Sequence, residues 1–120
     1  MILRRNKGFS IIELIIVIAI IGILAAIGIP QFSKYRRLSH NASALSDIKN
    51  AITAQEAYYA ANRVYAGSLD RLTVTQDLDT SRDVDVIING NESSYTISSS
   101  HPSGDKTYLY TGPGGTIINN

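Results

Sequence analysis

Hydrophobic positions fall along this chain in three successive patterns. From Phe9 to Pro30 the run is apolar almost throughout, and Glu13 is its only ionisable side chain. Its 22 residues make about 33 Å of helix at about 1.5 Å per residue, enough to cross a hydrocarbon core of about 30 Å. After Pro30 the pattern turns amphipathic. Leu38, Leu45, Ile52 and Tyr59 recur every seventh residue, and Ala42 and Ile48 fill the same stripe. Lys34, Arg37, Asp47, Lys49 and Asn50 take the opposite side. No Gly or Pro interrupts residues 31–64. The spacing therefore predicts one helix from about Phe9 to about Asn62, roughly 80 Å long, with only its second half packed on a globular core.

From Val64 the helical period disappears, and Ser, Thr, Asp and Gly accumulate. Asp83-Val84-Asp85-Val86-Ile87-Ile88 alternates like a half-buried strand, and Asn89-Gly90 predicts a tight turn. Ser94 to Ser98 reads as a second strand, His101 to Asp105 as a turn, and Lys106 to Tyr110 as a third strand. Gly112 to Gly115 breaks the chain before a short edge strand at Thr116-Ile117-Ile118. The expected fold class is α+β, a long N-terminal helix against a small antiparallel meander. Residues 64–82 carry no clear signal.

The organisation follows from these patterns: a basic leader at 1–8, an apolar helix at 9–30, an amphipathic helix half at 31–63 and a sheet region at 64–120. Gly22 and Pro30 are the expected points of helix weakness. Pro30 has no N–H for the Ala26 carbonyl and its ring clashes there, so a kink or break is expected. Gly22 costs about 1 kcal/mol of helix relative to Ala. Gly22 and Ala26, four apart, also suit close contact between membrane helices.

An acid inside an apolar span costs on the order of a few kcal/mol and calls for a partner or a function. An ordinary secretory signal cut near Ala26-Ile27-Gly28 does not accommodate Glu13, which stands where the apolar core should begin. A plain single-pass anchor leaves it unexplained. The leader Arg4-Arg5-Asn6-Lys7-Gly8, then Phe9, then Glu13 four residues on, resemble the type III signal sequence of type IV prepilins. This resemblance implies the type IV pilin fold and a cut by prepilin peptidase between Gly8 and Phe9. It also implies methylation of the Phe9 amine and polymerisation with other pilin subunits through the N-terminal helix. The minimal side chain of Gly8 suits close approach of a protease to the backbone. Phe9 would then carry an ammonium, and Glu13 would pair with it in its own chain or a neighbour, helping to set the stagger of subunits. In resembling pilins the stretch between Gly22 and Pro30 loses helicity in the fibre. Arg4, Arg5 and Lys7 keep the leader cytoplasmic, so the precursor is expected in the bacterial inner membrane and the product in an extracellular pilus built by inner-membrane assembly machinery.

Composition narrows the alternatives. Removing the leader leaves eight bases against ten acids, a net charge of −2, with no basic patch for nucleic acid. Cys is absent, although many pilins close a C-terminal loop with a disulfide, so stability must come from elsewhere. No catalytic constellation, cofactor or metal is expected. His40 and His101 lack ligand neighbours at characteristic spacing, and Asp77, Asp79, Asp83 and Asp85 read as a solvated face without the glycine and terminal Glu of an EF-hand loop. Asn41-Ala42-Ser43 and Asn91-Glu92-Ser93 fit the glycosylation acceptor pattern. Phe9, Phe32, Tyr35, Tyr58, Tyr59 and Tyr65, with the segment Ala44 to Asn50, are similar to pilins of metal-reducing bacteria. Electron conduction along aromatics has been proposed for such pili; packing is the reading taken here. Two other functions stand beside the pilus subunit. One is a pseudopilin of type II secretion, for which a calcium loop at Asp79 to Asp85 is lacking. The other is a membrane-tethered small binding domain.

Overall fold

A computed structural model describes residues 6–120, and its contacts gather into two units that divide after Tyr35. Arg4 and Arg5 of the leader lie outside the described residues. The order of elements is α1 (Ile11–Asn62), α2 (Leu69–Gln76), β1 (Asp85–Gly90), β2 (Tyr95–Ser100), β3 (Thr107–Gly112) and β4 (Ile118–Asn119).

The first unit is the apolar part of α1. Gly22 and Pro30 both lie inside the helix, so the break expected at Pro30 does not occur in the single chain. A proline removes one donor and costs about 3 kcal/mol, whereas a full break exposes up to four N–H and four C=O groups. In a segment with no competing partner, the continuous helix is the cheaper state. At its far end α1 stops where Arg63 turns left-handed, at φ 61°. The Arg63 N–H donates to the Tyr59 carbonyl (2.7 Å), and Asn62 Nδ2 caps the Tyr58 carbonyl (3.0 Å).

The second unit closes a core between α1, α2 and the sheet. The strands run antiparallel in the order β1-β2-β3-β4, the meander expected from the alternation. In β1, Val86 and Ile88 point inward while Asp85, Ile87 and Asn89 face out. They meet Tyr95 and Ile97 of β2, Tyr108 of β3, and Leu72 of α2 in one buried cluster with Ala44, Ile48, Ala51 and Tyr58 of α1. Burying side chains of this size is worth about 1.5–3 kcal/mol each, which makes this cluster the main source of cohesion.

Three expectations are corrected. The buried face of α1 runs through Asn41, Ala44, Asp47, Ile48, Ala51, Ala54, Gln55 and Tyr58. It is rotated from the heptad stripe: Leu45, Ile52 and Tyr59 only flank the core, and Leu38 and Ala42 are exposed. A straight helix drifts by about 20° per seven residues, and alanines let it approach the sheet where leucines would hold it off. The Asn89-Gly90 turn is also displaced. Gly90 ends β1, and the turn is Asn91 to Ser94, where Asn91 Oδ1 accepts the N–H groups of Ser93 (2.9 Å) and Ser94 (2.8 Å). Gly90 is needed for another reason, because a Cβ there would strike the Ala66 carbonyl oxygen. Third, residues 64–82 hold α2, ended by a left-handed Asp77 at φ 52°.

The polar residues on the core face of α1 act as fasteners. Asn41 Oδ1 accepts the backbone N–H groups of Asp105 (3.1 Å) and Lys106 (3.2 Å), and its Nδ2 donates to the Asp105 carboxylate (2.6 Å). Asp47, placed on the solvent side by the sequence pattern, is buried and accepts from Ser81 N–H (2.6 Å) and Ser81 Oγ (2.8 Å). Gln55 holds Ala66 through both its N–H and its carbonyl, each at 2.8 Å. Ser99 of β2 returns the favour by donating to the Ala44 carbonyl (2.7 Å). One helix face thus ties down three separate loops and one strand. Asn41 is 3% exposed and fully engaged, so of the two glycosylation patterns only Asn91 stands at the surface.

Candidate functional site

The segment from Gly8 to Pro30 carries every site residue picked out from the sequence. Gly8 and Phe9 precede α1 and are exposed, Phe9 by 86%. A peptide bond in such a stretch, with nothing within 4 Å of the Gly8 Cβ direction, is open to a protease cleft. Gly22 likewise meets nothing within 4 Å, so no contact inside the chain requires glycine there.

Glu13 has a partner that the sequence reading overlooked. The Ser10 N–H donates to Glu13 Oε2 (2.8 Å), and the Glu13 N–H donates to Ser10 Oγ (3.3 Å). This is a reciprocal capping box, in which two N–H groups at the start of α1 are satisfied by side chains. The carboxylate also lies in the first turn, where the helix dipole favours negative charge. The signal was legible as Ser10-x-x-Glu13 just ahead of the apolar run. Phe9 adjoins this cap directly, so an amine created there would lie next to it in the chain.

Around the rest of the segment, fourteen large apolar side chains from Phe9 to Ile29 are all exposed, Val17 least at 47%. They cover the whole circumference of the helix, so no single face is reserved for the chain's own core. The mean hydropathy over 18 residues reaches 3.0, long and apolar enough to cross a membrane. At about 1.5–3 kcal/mol per side chain, burying this surface is worth roughly 20–40 kcal/mol. A surface of that size demands lipid or other apolar helices.

A described sequence family, the prokaryotic N-terminal methylation motif, matches residues 3–29. The matched segment coincides with the leader, the cap and the exposed apolar helix. Beyond it, the chain is similar to the type IV major pilin protein PilA of Myxococcus xanthus, 47% identical over 62 residues, or 52% of this chain and 28% of the relative. It is similar also to the type IV wide pilus major component PilA4 of Thermus thermophilus, 39% identical over 66 residues, or 55% of this chain and 50% of the relative. A fimbrial protein of Pseudomonas aeruginosa is 47% identical over 55 residues, or 46% of this chain and 36% of the relative. The chain thus spans half or less of the length of these relatives.

The aromatics divide between the two units. Phe9, ahead of α1, and Phe32 and Tyr35 on it are exposed. Tyr59, Tyr65, Tyr95 and Tyr110 form a row in the second unit, with successive ring centroids 4.5, 4.6 and 5.7 Å apart. The Tyr95 hydroxyl donates to Glu56 (2.9 Å), and burial, reinforced by this bond, pushes it far above the ordinary phenol range. Tyr58 and Tyr95 are core residues, which fits packing of helix against sheet.

Proposed function

We propose that this chain is the structural subunit of a type IV pilus and not an enzyme. The observation that carries the proposal is the coincidence of the methylation motif with an apolar helix whose large side chains are exposed among the described residues. In this reading the precursor spans the bacterial inner membrane with residues 9–30, and prepilin peptidase cuts after Gly8. The Phe9 amine is methylated, and assembly machinery moves the subunit from lipid into a fibre whose core is the apolar helices. Residues 31–63 and 64–120 then form the fibre's outer layer. Similarity to named pilin and fimbrial subunits over about half of the chain supports this reading.

Glu13 serves two successive partners in this scheme. Before assembly it caps α1 through Ser10. After cleavage a Phe9 ammonium, with a reference pKa of about 8, competes for the same carboxylate. Loss of the cap, together with Gly22 and Pro30, lets residues 22–30 give up helix inside the fibre.

Mass spectrometry of sheared fibres tests the scheme. A subunit beginning at methylated Phe9 is expected, and replacing Gly8 with a bulky residue should leave uncut precursor in the membrane. Glu13→Gln keeps the capping hydrogen bond and removes the charge, whereas Ser10→Ala weakens the cap and keeps the charge. Fibre yield should fall sharply in Glu13→Gln and little in Ser10→Ala. The opposite ranking would make Glu13 a helix cap only.

A further inference from the structure

His40 and His101 are far apart in the chain yet lie face to face, with ring centroids 4.0 Å apart and planes inclined by 18°. His40 sits on α1 just before Asn41, and His101 leaves β2 as a buried residue. The Ser103 N–H donates to His101 Nδ1 (3.0 Å), and the Gly104 N–H donates to the His101 carbonyl (2.9 Å). Asn41 holds the next two residues, Asp105 and Lys106. The β2–β3 loop is therefore fastened to α1 by the Asn41 side-chain amide and the His40–His101 stack, while the His101 lone pair closes the loop on itself.

A shared metal ion does not suit this pair. Near-parallel rings send their in-plane lone pairs along near-parallel lines, and these do not converge on one ion at about 2.0–2.1 Å. A proton does suit it. We infer that the His40–His101 stack is a proton-operated latch on the loop from His101 to Lys106. When His101 is neutral with its proton on Nε2, Nδ1 is an acceptor and the loop is closed. A proton arriving at Nδ1 turns that acceptor into a donor facing the Ser103 N–H, so the bond is lost and two donors oppose each other. Two stacked imidazolium rings, each carrying a positive charge, repel. Opening the loop relieves both conflicts. Proton uptake and loop release are therefore linked, and acid favours the open state.

The surrounding charges leave this logic intact. On α1 they are Arg36 and Arg37, one turn before His40, and Asp47, which is already committed to Ser81. In the loop they are Asp105, committed to Asn41, and Lys106. β2 and β3 supply only the tyrosines Tyr95, Tyr108 and Tyr110 as titratable groups. Arg37 and Lys106 oppose an added proton. The latch lies wholly within the second unit, so it stands or falls independently of polymerisation.

The test is amide hydrogen exchange of the whole chain in detergent micelles, followed residue by residue at about pH 7 and about pH 5 and corrected for intrinsic rates. Protection at Ser103 should fall at least about tenfold at the lower pH, with Asp105 and Lys106 following and the β1–β2 amides holding. Equal protection at the two pH values, or a loss shared evenly by the strands, overturns the latch. His101→Asn offers an acceptor that does not titrate, so the pH effect at Ser103 should vanish; its persistence also overturns the inference. If that variant does not fold, nitrogen spectra of the wild-type imidazoles decide. The Nε2–H tautomer of His101 at neutral pH supports the latch, and the Nδ1–H tautomer refutes it.

Discussion

Replacing Gln55 with Leu should be among the most damaging single changes in the second unit, although it adds hydrophobicity at a buried position. Gln55 is fully buried and spans the gap between α1 and Ala66, accepting from the Ala66 N–H and donating to the Ala66 carbonyl, both at 2.8 Å. Leucine offers neither function, so two buried backbone groups lose their partners at about 1–3 kcal/mol each, or about 2–6 kcal/mol together. That is a large share of the about 5–15 kcal/mol that holds a domain folded. For a unit of this size each kcal/mol moves the melting point by about 4–8 °C, so a fall of at least about 8 °C is expected. The assay is thermal melting of the whole chain in micelles by near-ultraviolet circular dichroism, for which the stacked tyrosines are the reporters. Gln55→Glu adds a check, since its carboxylate accepts from the Ala66 N–H but repels the Ala66 carbonyl until protonated. Acidification should raise its melting point relative to the Leu variant. If Gln55→Leu melts within about 2 °C of wild type, the two bonds are not structural and the fastener argument fails.

Asp47→Ala should cost about 1.5–3 kcal/mol by leaving Ser81 without its charged acceptor, and Asp47→Asn less, as read by the same melts. On the acid side, the Asn41 amide and, behind it, Arg37 hold the Asp105 carboxyl below the usual carboxylate range. The folded chain releases that proton more readily than the unfolded one, so its stabilising contribution is present above about pH 4 and lost as pH falls below it. Asp105→Asn should flatten that limb of the stability profile. On the alkaline side, the raised Tyr95 hydroxyl stays protonated in the fold while the unfolded chain ionises, so stability declines above about pH 10 and Tyr95→Phe should flatten the decline. Gly22→Ala should stiffen the free helix by about 1 kcal/mol without a clash, yet lower fibre yield if that segment must yield on assembly. Wild-type yield in this variant refutes the melting step.

The apolar span was legible because a single pattern decides it: no polar residue but Ser10 and Glu13 appears between Phe9 and Pro30. The meander was legible for a similar reason, through alternation at Val84, Val86 and Ile88 and the turn residues between strands. What failed was position. Asn89-Gly90 has the composition of a turn, but the tertiary contact of Ala66 with Gly90 decides its place in β1. The helix face was misread because apolar spacing was counted while the buried line also carries Asn41, Asp47 and Gln55. Their partners, Asp105, Ser81 and Ala66, lie in loops that no local pattern brings near. α2 is hard to read because Leu69–Gln76 is short and its second half carries Thr73, Val74 and Thr75, poor helix formers that tertiary contact holds in place. The Ser10 partner of Glu13 is written locally, as Ser-x-x-Glu ahead of an apolar run, and needs no tertiary contact.

The two units solve opposite problems with one helix. In the proposed fibre a polymerising segment must leave its apolar surface unclaimed, and residues 9–30 fit that role by being apolar and exposed on every side. In the same proposal the second unit is displayed outside the cell and must instead hold itself shut, here without a single Cys. A disulfide typically contributes about 2–4 kcal/mol by closing a loop in the unfolded chain. The fasteners join residues 41 to 105, 47 to 81 and 55 to 66, loops of very different length, at about 1 kcal/mol per net hydrogen bond. Several such bonds match one disulfide in sum, but each opens on its own. That difference carries the functional consequence: local release of the loop after β2 is compatible with an intact core, as a covalent staple in that loop would not allow. The polar residues on the buried face of α1 are thus the chain's substitute for cysteine.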